Sequence, residues 1–119
     1  MANTRFNSLK SNLIYMDSLK IKLLKQYSNF VKAKRNADDY YNQRLLISTR
    51  KNNKYMILNP FTDKYIHFGN INYEDYLYHR DENRRFNYLK RSAGIKGNWK
   101  NNDYSPNNLS RRILWNAPN

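Results

Sequence analysis

The chain has 119 residues and a net charge of +13, set by 22 Lys and Arg against nine Asp and Glu. This length fits one domain with a modest core, and the absence of cysteine excludes disulfide frameworks and thiolate zinc sites. So large a positive charge indicates an anionic partner, and the sequence predicts neither a signal peptide nor a membrane span, which needs roughly 20 apolar residues.

The first predicted element is a long N-terminal helix over residues 8–34, because apolar side chains recur there at spacings of three, four or seven. This stripe packs on the rest of the domain, or it docks on a partner or a second copy. Residues 36–43 continue the helix after a kink or form a short second helix. We place here the boundary between an N-terminal helical segment, 1–43, and a compact module, 44–119. The stripe comprises Leu9, Leu13, Met16, Leu23, Tyr27 and Phe30.

A three-stranded antiparallel sheet is predicted next. Its strands run over residues 44–48, 55–58 and 64–68. Asparagine tolerates positive φ, so residues 51–53 form the first turn. Pro60 favours a second turn over residues 59–63. Gly69 is expected to end the third strand.

Short helices follow the predicted sheet. Asn72 is expected to cap a helix over residues 73–78, and Asp81 to cap a second one from residue 82 to about residue 92. On the second helix, Phe86, Leu89 and Ala93 share one face. Arg84, Tyr88 and Arg91 share the opposite face.

The last predicted helix begins at Ser105-Pro106, with Ser as its cap and Pro in its first turn, and runs to about Leu114. Leu109 and Ile113 are expected to point inward. The predicted fold class is therefore α+β. It consists of a long N-terminal helix, a small three-stranded antiparallel sheet and two to three short C-terminal helices.

Four separated blocks have a familiar order and spacing. They are STRKNNKY (48–55), KYIHFG (64–69), YEDY..H.DE.RR..YLKR (73–91) and YSP..LS...LW (104–115). Over residues 48–115 or so, the chain resembles a family of small basic proteins of uncharacterised function encoded by nucleocytoplasmic large DNA viruses. The resemblance implies a viral origin, and with it a place in the virion or the infected host cell. It implies no mechanism.

Basic and aromatic residues alternate along the module, as is typical of nucleic-acid binding, because Lys and Arg contact phosphates and exposed rings stack on bases. No helix-turn-helix, zinc-finger or RNA-recognition signature is present, so we expect binding without sequence specificity. Of the two nucleic acids, we expect DNA rather than RNA to be the partner. The candidate contacts are Arg50, Lys51, Lys54, Arg84, Arg85, Tyr88, Lys90, Arg91, Lys96, Lys100, Arg111 and Arg112.

The leading hypothesis is a non-enzymatic viral protein that binds nucleic acid and needs no cofactor. An alternative is a minor structural protein of the capsid, whose basic surface contacts acidic neighbours. A weaker alternative is a metal-dependent nuclease using His67 and His79 with Asp75 and Asp81. Ordinary packing of His67 on the sheet and helix-start chemistry of the carboxylates explain these residues more simply.

Overall fold

The computed structural model describes residues 18–117, which form an α+β fold, as predicted. Two helices precede a three-stranded sheet, and short helices follow it. The elements are α1 (18–27), α2 (Phe30–Tyr41), β1 (Leu45–Ile47), β2 (Asn53–Asn59), β3 (Lys64–Asn70), α3 (Tyr76–His79), α4 (Glu82–Ala93), a 3₁₀ turn (Trp99–Asn101), α5 (Pro106–Leu109) and a π-turn (Ser110–Leu114).

The prediction of one long N-terminal helix is wrong, because the helix breaks at Ser28 and Asn29. Asn29 has extended backbone angles, and its side chain accepts a hydrogen bond from the Lys32 amide, so it caps a new helix. The Tyr27 carbonyl, at the end of α1, accepts instead from the Lys54 ammonium at 3.0 Å. Residues 8–17 of the predicted helix lie outside the described part of the chain.

Residues 36–43 belong mostly to α2, which ends where Asn42 adopts a left-handed conformation at φ 50°. Helix α2 buries Ala33 and Ala37 in the same core as residues of the sheet and of the C-terminal helices. The division of the chain into segments 1–43 and 44–119 stays a prediction.

The antiparallel sheet has the strand order β1-β2-β3, as predicted. One face is apolar: Leu45 pairs with Ile57, and Tyr55 pairs with Phe68. These four side chains are almost completely buried under the helices. The hydroxyl of Tyr55 donates to Ser28 at 2.8 Å, which ties the helix break to the centre of the sheet.

Gly69 lies inside β3 rather than at its end, with φ at +79°. A Cβ atom there would come within 2.9 Å of Leu114 Cδ1 and 3.3 Å of Lys54 Cβ. Both the backbone conformation and the lack of space therefore require glycine. The close approach lets the π-turn pack directly on the strand.

The short helix after the sheet begins later than predicted. Asp75, not Asn72, caps it, since its carboxylate accepts from the Tyr78 amide. Asn72 instead lies in the turn after β3, where its amide donates to the Asn70 side chain. Asp81 caps α4, as predicted, by accepting from the Arg84 amide and the amide before it.

The apolar face predicted for α4 coincides only in part with the side that packs on the core, because Leu89 and Tyr88 both contact it. Phe86 is 65% exposed, whereas Ser92 is buried and Tyr88 is partly buried. The buried side of α4 includes Tyr88 instead of Phe86, because Tyr88 stacks on Trp115 with ring centroids 4.0 Å apart and planes 9° from parallel. This stack joins α4 to the end of the described chain.

The last helix begins as predicted, with Ser105 as its cap and Pro106 in its first turn. After one α-helical turn it widens into the π-turn. Leu109 and Ile113 are fully buried, as expected from their spacing. Among the helices of residues 18–117, none is both long and apolar enough to cross a membrane.

Candidate nucleic-acid interface

A cleft of about 400 Å³ opens between the loop that follows β3, helix α4 and the π-turn. Its α4 wall is formed by Arg84, Tyr88 and Arg91, which lie four and three residues apart and so project from one side of the helix. We call it the arginine cleft. Its full lining is Lys54, Gly69, Asn70, Tyr73, Glu74, Asp75, Arg84, Asn87, Tyr88, Arg91, Ser110, Leu114 and Trp115.

The bottom of the cleft holds a buried ion pair. The Lys54 ammonium lies 3.1 Å from the Asp75 carboxylate, and the two residues are only 2% and 1% exposed. Burial lowers the pKa of Lys54 and raises the pKa of Asp75, and their mutual attraction offsets part of both shifts. The expectation that Lys54 contacts a phosphate does not fit this position, because its charge is already neutralised inside the fold.

Arg84 stands half exposed on the cleft wall and forms an ion pair with Glu74 at 2.8 Å. Glu74 comes from the loop after β3, so this contact spans the cleft. Exposed ion pairs of this kind contribute about 0–1 kcal/mol. A stronger anion can therefore displace Glu74 from Arg84 at little cost.

Arg91 lies exposed at the other end of the same wall, with its guanidinium carbon 5.8 Å from the centre of the Tyr88 ring. The Tyr88 ring also stacks on the Trp115 ring. Burial raises the pKa of Tyr88, so its hydroxyl stays protonated at neutral pH. Tyr88 thus supports Arg91 and Trp115, and its ring faces are not open for stacking on a base.

Arg85, the neighbour of Arg84, does not line the cleft and has a structural role. It donates to the Trp115 carbonyl at 2.8 Å and to the Asn116 carbonyl at 2.5 Å. Its guanidinium also lies over the Tyr76 ring. These contacts hold the end of the π-turn against α4.

Two further predicted contacts, Arg111 and Arg112, are also engaged within the fold. Arg111 donates to the Leu89 carbonyl at 2.7 Å and to the Ser92 hydroxyl at 2.5 Å. Arg112 forms an ion pair with Asp103 at 3.1 Å. Both side chains are only partly exposed.

The remaining predicted cations lie outside the cleft and are exposed. Arg50 and Lys51 occupy the β1–β2 turn. Lys90 is on α4, and Lys96 is in the following loop. Lys100 lies in the 3₁₀ turn with its ammonium 5.6 Å from the Trp99 ring. The structure therefore brings only Arg84, Tyr88 and Arg91 together with Lys54 in one cleft.

Both histidines make a local hydrogen bond through one ring nitrogen, but the buried Nε2 atom of His79 has no hydrogen-bond partner among the described residues. His67 shares a hydrogen bond of 2.7 Å with the Ser48 hydroxyl. His79 accepts from the Asp81 amide at 2.9 Å, and its ring lies beside Trp115. Within residues 18–117, no three His, Asp or Glu side chains form a group that could hold a metal ion.

Sequence reasoning missed the wall of the cleft that faces α4. Tyr73, Glu74 and Asn70 come from β3 and the following loop, and Asn87 lies between the predicted α4 residues. The YED block marks Tyr73 and Glu74 as a unit, but only the tertiary fold shows that this loop folds back toward α4. No local signal predicts that approach.

Residues 43–92 match the model of DUF5754, a family of unknown function. The matched region covers the sheet, α3 and nearly all of α4, and so includes Tyr73, Glu74, Arg84, Tyr88 and Arg91 of the cleft. It spans fewer than half of the 119 residues. No curated protein matches the chain, and no solved structure does. Over its central region, then, the chain is similar to a family whose function is uncharacterised.

Proposed function

We propose that this protein is a non-enzymatic nucleic-acid-binding protein that contacts phosphates without sequence specificity. The nucleic acid that we propose as its partner is DNA rather than RNA. One observation carries the proposal: Arg84 and Arg91 stand on the same wall of an open cleft. The exposed ammonium of Lys90 lies on the same helix, and those of Lys96 and Lys100 follow it in the chain. The net charge of +13 draws polyanions to this surface.

The spacing of the two arginines suits a polymer of phosphates. They are seven residues apart on α4, so their Cα atoms are separated by roughly 10 Å along the helix axis. Two guanidinium groups at this distance can contact different phosphates of one strand. Each offers the paired N–H groups that suit phosphate oxygens.

The biological setting that we propose is a large DNA virus, with the protein in the virion or in the infected cell. The four sequence blocks at residues 48–115 support this origin. Packaging or handling a viral genome requires proteins that neutralise phosphate without reading sequence, and the charge and the cleft both suit that task.

Equilibrium binding to random-sequence DNA at about 50 mM salt tests the proposal. We expect the wild-type protein to bind, and Arg84→Gln with Arg91→Gln to weaken binding by about 10- to 100-fold, since two charge-assisted contacts are lost. The matched control is Arg35→Gln with Arg44→Gln, which removes the same charge from exposed positions outside the cleft. Absence of binding, or equal losses in both double variants, would overturn the proposal.

A second candidate function is a structural role in the particle, in which an acidic protein neighbour occupies the same surface. The contact between Arg84 and Glu74 favours it, because it shows that the cleft wall accepts a carboxylate. Competition separates the two functions. If poly-glutamate displaces DNA at equal charge concentration, an acidic protein is the better candidate. If only DNA competes, phosphate is the ligand.

A further inference from the structure

We infer that the arginine cleft holds one nucleotide of a single-stranded nucleic acid, with the base stacked on Tyr73 and the flanking phosphates on Arg84 and Arg91. The inference rests on the proposed function and makes its ligand specific. It follows from the size of the cleft, from the one open aromatic ring on its lining and from the polar groups around that ring.

Tyr73 is the open ring. It is 68% exposed, lines the cleft opposite α4 and makes no ring contact with another described aromatic residue. The other two aromatic residues of the cleft, Tyr88 and Trp115, are stacked on each other. An exposed tyrosine beside arginines is the arrangement by which proteins bind unpaired bases, since every base offers a face for stacking.

The turn that carries Tyr73 is ordered by its own hydrogen bonds. The Tyr73 amide donates to the Asn70 carbonyl at 3.3 Å, and two residues later Asp75 is fixed by Lys54. The ring is therefore presented from a short, anchored segment. This reduces the entropy lost when a base is bound.

The cleft has the volume of a small-ligand site. Its volume of about 400 Å³ lies within the range of about 300–1,000 Å³ found for small-ligand sites. A duplex is far too wide to enter, and its bases are paired and stacked. Reaching Tyr73 would require flipping a base out of the duplex, which costs a few kcal/mol.

Polar groups for a base edge lie within the same cleft. The side-chain amides of Asn70 and Asn87 both line it, and each offers a donor and an acceptor. The buried Lys54–Asp75 pair closes the bottom without leaving a free charge there. The exposed arginines are thus available to phosphates, and the exposed side chains of Asn70 and Asn87 are available to a base edge.

Affinities for a single-stranded oligonucleotide and for a duplex of the same length, measured by fluorescence anisotropy at one salt concentration, test the inference. We expect the wild-type protein to prefer the single strand. Tyr73→Ala should lower single-strand affinity by about 5- to 100-fold, as stacking on one base implies, and leave duplex affinity unchanged. Tyr73→Phe should retain the preference. Tyr65→Ala is the control, since Tyr65 is exposed on β3 but does not line the cleft.

The outcomes separate this inference from the proposed function. Equal single-strand affinities for Tyr73→Ala and Tyr65→Ala, with DNA binding intact, would overturn the single-strand inference alone. Equal wild-type affinities for single strand and duplex would do the same. Failure to bind either form would overturn both.

Discussion

Lys54 shows at the scale of a single residue how sequence pattern and structure diverge. Its position in KNNKY, beside a turn, suggested an exposed cation. In the fold its ammonium instead joins the Tyr27 carbonyl, at the end of α1, to Asp75, the cap of α3. Such a role depends on contacts with residues 27 and 21 positions away in the chain, which no local pattern contains.

Removing Lys54 alone should therefore be costly. Lys54→Met leaves Asp75 buried without its partner, and we expect the free energy of unfolding to fall by about 3 to 5 kcal/mol. Adding Asp75→Asn removes the unpaired charge but keeps an acceptor for the Tyr78 amide, so the double variant should be more stable than Lys54→Met. Urea denaturation measures both.

Lys51→Met is the matched control for this cycle, because Lys51 is exposed in the turn. Its stability should stay within about 0.5 kcal/mol of wild type. If the losses of Lys54→Met and Asp75→Asn simply add in the double variant, the two side chains are not coupled, and the described role of the pair is wrong.

Helix α4 shows the same divergence at the scale of an element. Its start at residue 82, its Asp81 cap and its end near residue 92 followed from local sequence. Its orientation did not, because Phe86 fits an apolar face by spacing, yet Tyr88 packs inward on Trp115. The neighbouring arginines consequently differ in role: Arg84 lines the cleft, and Arg85 donates to the Trp115 and Asn116 carbonyls just after the π-turn.

This difference in role predicts a larger loss of stability for a substitution at Arg85 than for the same substitution at Arg84. Arg85→Met leaves the Trp115 and Asn116 carbonyls without their donor, and should reduce the free energy of unfolding by about 1 to 3 kcal/mol. Arg84→Met loses one exposed ion pair and should cost no more than about 1 kcal/mol. Thermal and urea unfolding of both variants measure the difference.

Affinity for DNA should show the reverse order. Folded Arg85→Met should bind as wild type does, while Arg84→Met should bind more weakly. If the two variants lost stability and affinity in the same proportion, α4 would not separate a structural side from a binding side.

At the scale of the whole molecule, the sequence predicted the α+β class and the antiparallel meander, because turns at Asn and Pro interrupt short apolar strands. It failed at the helix break before Phe30, where Asn29 caps a new helix and Ser28 bonds to Tyr55. The apolar stripe continues through this break, so the sequence pattern does not predict it. Tertiary contacts determine where the helix breaks.

Tertiary contacts also divide the predicted binding residues into those that bond within the fold and those that line the cleft. Positive charge identified eleven of the twelve candidates, but it could not distinguish Arg85 and Arg111, which donate to main-chain carbonyls, from Arg84 and Arg91, which line the cleft. The net charge gives attraction to any polyanion. The cleft, which only the fold reveals, is the place that we propose for binding the polyanion.

The salt dependence of binding tests this central claim most directly. For a single-stranded oligonucleotide, we expect the logarithm of the binding constant to fall linearly with the logarithm of salt concentration. Arg84→Gln with Arg91→Gln should make this slope shallower by about 1.4, or about 0.7 per lost phosphate contact. Arg35→Gln with Arg44→Gln should leave the slope unchanged. Equal slopes for wild type and for both double variants would contradict phosphate binding in the arginine cleft.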